Sequence, residues 1–304
     1  MLGRDDVLRA RAAIGGRLPR TPTLSSRTLG ARLKCELFQR TGSFKPRGAL
    51  NKLSSLTAGE RARGVITISA GNHAQAVAWA AAETGVDALV VMARGASPQK
   101  LAATRGYGAE VDLEAADVHE AFERLRRLLD ETGRVLVHPF DDPVVVAGAG
   151  TVGLEVEEDA PDADAVLVAV GGGGLVAGIQ AAIGDRVRVV AVEPERSQAL
   201  HAGLAAGRPV PVEATSIADG LNAPHCGAPA LELCAGLERV LVSEEEIEEA
   251  FRFLYERAKL AVEPAAAAAA APLLSGRVDA ARPVVVVSGG NVAREIASGI
   301  LARR

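Results

Sequence analysis

Thr41-Gly-Ser-Phe-Lys-Pro-Arg-Gly48 contains Lys45, one of only five lysines in a chain of 304 residues whose positive charge is otherwise carried by arginine. A lysine amine forms a Schiff base with an aldehyde, and a guanidinium does not. Taken alone, a lysine in a polar loop is ordinarily a solvated surface charge. Three further segments give this one a chemical setting. Ser69-Ala-Gly-Asn-His73 places polar groups at a strand-to-helix turn, where free backbone N–H groups suit a carboxylate. Gly171-Gly-Gly-Gly174 follows an apolar run at 165–170 and opens a helical stretch, a cradle for a phosphate. Ser288-Gly-Gly-Asn291 puts a hydroxyl at the exit of the run 284–287.

Outward from these turns, short β-branched runs alternate with longer Ala/Leu/Arg stretches. Strands are expected at 65–69, 88–92, 135–138, 166–170, 187–192, 239–242 and 284–287. Most are continuously apolar, as in strands buried on both faces of a parallel sheet. Helices are expected at 72–84, 98–105, 118–131, 174–183, 244–259 and 292–301. The alternation predicts an α/β fold with parallel sheets. Residues 64–137 form a compact strand–helix set, and His138-Pro-Phe-Asp-Asp-Pro143 reads as a loop leading back to a longer helix. The expected organisation is a small domain, 64–138, inserted into a larger one built from 1–63 and 139–304. The low-complexity stretch 265–271, between Pro264 and Pro272, predicts a short, thin helix for close packing.

The glycine run admits a second reading. Gly172-x-Gly174-x-x-x-Gly178 is a loose dinucleotide fingerprint, and Glu193 falls about twenty residues on. By itself the run does not separate a nicotinamide-dependent oxidoreductase from a phosphate cradle of another kind. The dinucleotide reading, however, leaves Lys45, the 69–73 turn and Ser288 without a role.

Together the four segments resemble the fold-type II pyridoxal phosphate enzymes, in particular the threonine/serine dehydratase and serine racemase branch, along essentially the whole chain from Arg20-Thr-Pro22 to Asn291. The resemblance implies an α/β architecture like the β-subunit of tryptophan synthase, in two domains, each a mostly parallel sheet flanked by helices. It implies that Lys45 carries pyridoxal 5'-phosphate as an imine, with Phe44 beside the ring and Arg47 supporting the loop. Ser69, Gly71, Asn72 and His73 would hold the substrate carboxylate, with Asn72 also reaching the cofactor's phenolic oxygen. Gly171, Gly172, Gly173, Gly174 and Leu175 would take the phosphate, and Ser288 the pyridine nitrogen. Gly220 and Glu263, in Ile217-Ala-Asp-Gly-Leu221 and Lys259-Leu-Ala-Val-Glu-Pro264, match segments near the ring. Serine racemases resemble the 69–73 segment but carry a serine where this chain has Ala70, which cannot exchange a proton. Glu193-Pro194 resembles the start of a cation site, monovalent or divalent, found in some relatives, although Ala199 stands where those relatives place a second acid.

Composition narrows the alternatives. The net charge of −4 and the 3% aromatic content give no basic stripe with stacking rings, so no nucleic-acid partner is expected. The odd set Cys35, Cys226 and Cys234 lacks metal-ligand spacing and reads as free thiols in a reducing cytoplasm. Arg4, Asp5 and Asp6 occupy the place of a signal-peptide core, so no export signal is expected, and no effector domain is expected after Arg304. The uncharged stretch 165–184 has the length of a membrane span, but its four glycines fit a strand, a turn and a helix, so no membrane partner is expected. His119, His138, His201 and His225 show no ligand spacing and read as structural. The expected activity is conversion of L-threonine and/or L-serine to a 2-oxo acid and ammonia, by a homodimer or homotetramer. The alternatives are a dehydratase of another β-hydroxy amino acid, a serine racemase and, from another class, a nicotinamide-dependent oxidoreductase.

Overall fold

A computed structural model describes residues 2–303. Ten strands form two sheets: β1 (Thr23–Ser26), β2 (Ala31–Cys35), β3 (Val65–Ile68), β4 (Ala88–Val91), β5 (Glu110–Asp112), β6 (Val135–Leu136), β7 (Ala165–Ala169), β8 (Arg188–Pro194), β9 (Glu238–Val242) and β10 (Pro283–Val287). One sheet runs β1-β2-β10-β7-β8-β9, and the other β5-β4-β3-β6. Every pairing is parallel except β1 with β2. The fold class is the expected one. The polar strand β1, Thr-Leu-Ser-Ser, has no apolar run to signal it; it forms by pairing antiparallel with the buried β2 at the sheet's edge.

The parallel strands read as continuous apolar runs because helices cover both faces. Along β10, Val284 and Val286 join the core on one face while Val285 and Val287 join the core on the other. The polyalanine stretch lies under the second face. It is fully buried, split into Pro264–Ala267, a 3-10 turn Ala268–Ala270 and Ala271–Leu274. Only methyl-sized side chains let this backbone sit close against β7, β8 and β10.

The long helix Pro143–Asp159 is the plate on which the site is set. On one side it crosses the helix Lys45–Ser54, where a Cβ on Gly148 would fall 2.4 Å from the Arg47 carbonyl oxygen. On the other it crosses the helix Gly174–Ile183, where a Cβ on Gly178 would fall 2.4 Å from the Val146 carbonyl oxygen. These contacts leave room for hydrogen only, so the two helices have one relative placement. Ala49, Leu50 and Leu53 of the first helix face the core beneath the four-stranded sheet. No described helix is long and apolar enough to cross a membrane.

Several boundaries shift by a few residues. The strand expected at 135–138 stops at Leu136, since Pro139 cannot continue a ladder. The helix expected at 244–259 ends at Glu256, and the one expected at 292–301 begins at Arg294.

Candidate active site

The turns singled out in the sequence lie at carboxyl ends of parallel strands: 69–73 after β3, 171–174 after β7 and 288–291 after β10. This is where open α/β sheets bind ligands. The Lys45 loop lies against the last of them. Phe44 N donates to Ser288 O at 3.0 Å, Gly290 N to Gly42 O at 2.9 Å, and Ser43 bridges Gly289. Thr41 is held at φ 59°, in the left-handed region, by this packing.

Lys45 opens its helix, with Pro46 in the first turn. Its Nζ donates to Pro139 O at 2.9 Å and sits 5.1 Å from the centre of the Phe44 ring. Burial pushes its pKa down to about 8, against the pull of Glu263. A fraction of the amine is therefore an unprotonated nucleophile near neutral pH. Two residues on, Arg47 turns the other way into a buried charge network. It pairs with Glu36 at 2.8 Å and Glu155 at 2.7 Å, while the fully buried Lys34 pairs with Glu155 at 2.6 Å and Asp159 at 3.1 Å. Breaking one partner of such a network leaves an uncompensated buried charge, which costs about 3–5 kcal/mol.

Asn72 begins the helix Asn72–Thr84 and is locked at both ends of its amide. Its Nδ2 donates to the Glu263 carboxylate at 2.8 and 3.1 Å, and its Oδ1 accepts from Asn291 Nδ2 at 2.8 Å. Burial raises the Glu263 pKa to about 7, partly offset by the Asn72 hydrogen bond. A Cβ on Gly220 would lie 3.8 Å from Glu263 Oε1, so Gly220 borders the same group. Ser69 Oγ accepts from Gly71 N at 3.1 Å and shapes the turn. His73 Nε2 meets Val137 O at 2.9 Å. A carbonyl can only accept, so Nε2 carries the proton and Nδ1 is the acceptor. Burial, then Lys45, pushes the pKa of this imidazole down to about 3, so it stays neutral.

The glycine turn is crowded on its outer side. A Cβ on Gly172 would fall 2.2 Å from the Phe140 ring, and one on Gly173, at φ +86°, 2.4 Å from Ala230 Cβ. Gly174 starts a helix whose first N–H groups have no intrahelical partner. The Leu175 side chain points into the large core, so only its backbone faces the turn.

Residues 16–290 match the family described as pyridoxal-phosphate dependent enzyme. The chain belongs to that family. The residues present fit its cofactor. The Thr41 and Ser43 hydroxyls and His73 Nδ1 are buried without a partner among the described residues, beside an amine poised near neutrality. Within the pyridoxal-phosphate enzymes, the chain is 41% identical to the L-threonine dehydratase catabolic TdcB of Escherichia coli K12, over 95% of this chain and 92% of that one. Its fold superposes on the threonine deaminase of T.th. with a TM-score of 0.89 at 39% identity, covering 96% and 99% of the two chains. It superposes on maize serine racemase with a TM-score of 0.92 at 33% identity, covering 98% and 96%.

Two histidines read as structural converge beside the site. The His138 and Phe140 rings meet edge-on at 4.7 Å, Phe140 and His225 at 5.3 Å, and the two imidazoles at 6.4 Å. They come from loops 87 residues apart, and no local spacing signals the encounter. Glu193 is buried at the end of β8, where it accepts from Leu200 N at 2.7 Å and His201 N at 3.0 Å. Burial raises its pKa to about 7 despite those two bonds. Among the described residues, no group of three or more His, Cys, Asp or Glu side chains assembles that could hold a metal ion.

Proposed function

We propose that this chain is an ammonia-lyase that converts L-threonine, and L-serine as a second substrate, to a 2-oxo acid and ammonia. The observation that carries the reading is the convergence on one cleft of a lysine near its neutral point, a locked asparagine, a neutral histidine and a glycine turn. The likeness to the E. coli threonine dehydratase favours threonine.

Pyridoxal phosphate, when bound, supplies an electron sink at the substrate α-carbon. Lys45 Nζ would hold it, Phe44 and Gly220 would border it, and Gly171, Gly172, Gly173, Gly174 and the Leu175 backbone would receive its phosphate. Asn72 and Ser288 contribute polar groups at the ring's edge, and Glu263 holds Asn72. The turn Ser69, Gly71, Asn72 and His73 receives the substrate carboxylate through backbone N–H groups and the helix dipole. Lys45 Nζ, once released, takes the α-proton on one face. Ala70, exposed in the turn, offers no proton on the other. The β-hydroxyl would leave as water, taking up one proton to balance the one lost from the α-carbon. Hydrolysis of the released enamine, which consumes one water, would give the oxo acid and ammonia.

The division into 64–138 and a larger unit of 1–63 with 139–304 follows the two sheets and belongs to this reading, as does assembly into a homodimer or homotetramer. Two backbone N–H groups already use the Glu193 carboxylate, which speaks against a bound cation there. A panel of L-threonine, L-serine, phenylserine and threo-3-hydroxyaspartate with keto-acid detection tests the assignment. Turnover of threonine first and serine second is expected; a preference for either of the last two would replace it.

A further inference from the structure

The chain returns from the small sheet to the long helix Pro143–Asp159 through residues 137–142, and this crossover touches His73, Lys45 and the glycine turn. At its start, Val137 O accepts from Thr67 Oγ1 at 2.8 Å and His73 Nε2 at 2.9 Å. Pro139 O accepts from Lys45 Nζ at 2.9 Å. The Phe140 ring lies on Gly172, and the Phe140 backbone lies against Gly174. Asp141 Oδ1 accepts from Ala228 N at 2.8 Å, next to Gly227, whose N–H donates to Gly172 O at 3.0 Å. Asp142 caps the long helix and pairs with Lys52 at 2.7 Å on the lysine helix.

One side chain within the crossover folds this turn. His138 Nδ1 accepts from Asp141 N at 2.9 Å and from Phe140 N at 3.4 Å. Its proton is therefore on Nε2. An imidazolium has no lone pair to offer, so protonation would end both bonds. We infer that His138 is a positioning residue, the pin of a crossover that sets Pro139 O against Lys45 Nζ and Phe140 against the glycine turn and thereby slows escape of the bound cofactor. The inference rests on the reading that Lys45 and the glycine turn hold pyridoxal phosphate.

The groups that face His138 are Asp141 and Asp142 on its own segment, Lys45 on the lysine helix, His225 from the loop beyond Leu221, and His73 from the Asn72–Thr84 helix. Burial comes first among the influences and lowers its pKa below the ordinary imidazole value; Asp141 opposes it, while His225 and Lys45 reinforce it. The pin therefore holds at neutral pH and fails only in acid.

The test follows loss of the lysine-bound absorbance of the holoenzyme after dilution into excess cofactor scavenger, from pH 8 down to pH 5. Wild-type release should accelerate more steeply toward the acid end than that of a variant whose residue 138 does not titrate, because protonation removes the acceptor of the pin. His138→Ala should release the cofactor about tenfold faster than wild type at pH 8, the equivalent of one decade in an equilibrium constant. His138→Asn, whose Oδ1 can accept the same N–H groups without titrating, should stay within about threefold of wild type at pH 8 and show a flatter acid limb. A wild-type acid limb no steeper than that of His138→Asn, over a range taken low enough to protonate the imidazole, would overturn the inference. So would an alanine variant with wild-type release, or an asparagine variant that is folded by circular dichroism yet releases like alanine. Failure of the underlying reading looks different: wild-type protein would show no lysine-bound absorbance at all.

Discussion

At the scale of the residue, the proposed chemistry turns on the protonation of one amine. A lysine held at about 8 is half neutral there, whereas an ordinary lysine needs a pH above 10. In the cofactor-free protein, the rate at which pyridoxal phosphate joins Lys45 should thus rise with pH and reach half its plateau near pH 8. Borohydride reduction and peptide mapping should place the label on Lys45 and not on Lys34, Lys52, Lys100 or Lys259, and Lys45→Ala should abolish both label and turnover. A second expectation rests on Ala70. In the proposed mechanism elimination removes the α-proton once, from the Lys45 face, whereas racemisation must return it from the opposite face. Chiral chromatography of a reaction on L-serine should show pyruvate and little D-serine, with Ala70→Ser raising the D-isomer. D-serine forming as fast as pyruvate would mean that another group supplies the second proton. The roles proposed for Lys45, Ser69, Asn72, His73 and Ser288 come from the sequence because each sits in a short run whose chemistry is local. The Asn72–Glu263 contact spans 191 positions, and the His138–Phe140–His225 cluster forms only when two loops meet. Spacing carries no trace of either, which is why the two histidines read as structural from the sequence.

At the scale of the element, legibility follows burial. β3, β4, β7, β8 and β10 are plain as apolar runs because helices cover both of their faces; β1 is not, since a polar edge strand is specified by its partner and not by its own side chains. The polyalanine helix is readable as a packing device, and its depth can be measured. Ala268 is fully buried within the core that also holds Leu167, Val190 and Val285. Ala268→Leu should destabilise the protein by about 1–3 kcal/mol through overpacking, seen as a lower melting temperature with little change in KM. The glycine turn behaves differently. A Cβ on Gly173 meets Ala230 at 2.4 Å in a left-handed conformation, so Gly173→Val strains the turn itself. Cofactor affinity should fall before global stability does, and cofactor titration beside a thermal melt separates the two effects. A variant that kept its pyridoxal phosphate and lost affinity for NAD would revive the dinucleotide reading.

At the scale of the whole molecule, side-chain polar contacts tie the segments that follow the two sheets to one another, and one of them involves a group that titrates. Asn72, at the exit of β3, is tied to Glu263 and to Asn291 beyond β10, while Lys100, on the helix Pro98–Gly106 between β4 and β5, pairs with Asp219 at 2.7 Å beside Gly220. Glu263 is the buried member. Its pKa of about 7 lies above the ordinary carboxylate value of 4.5, with burial the first cause. The folded protein therefore holds more protons than the unfolded chain between those two values. The contribution of Glu263 to stability is therefore greatest below 4.5 and falls as pH rises to about 7, above which the buried charge becomes fully developed. Glu263→Gln keeps an acceptor for Asn72 Nδ2 and removes the charge. Relative to wild type, the variant should gain stability from pH 5 to pH 8, by on the order of 1–3 kcal/mol at the upper end. Glu193 shifts in the same direction but is present in both proteins, so it cancels in the difference. Urea unfolding of the cofactor-free proteins at the two pH values measures this, provided that the slopes agree. A difference that stays constant with pH would show that Glu263 is not the titrating group. A variant less stable than wild type at pH 8 would show that the carboxylate charge, and not merely its oxygen, holds the two sheets together through Asn72.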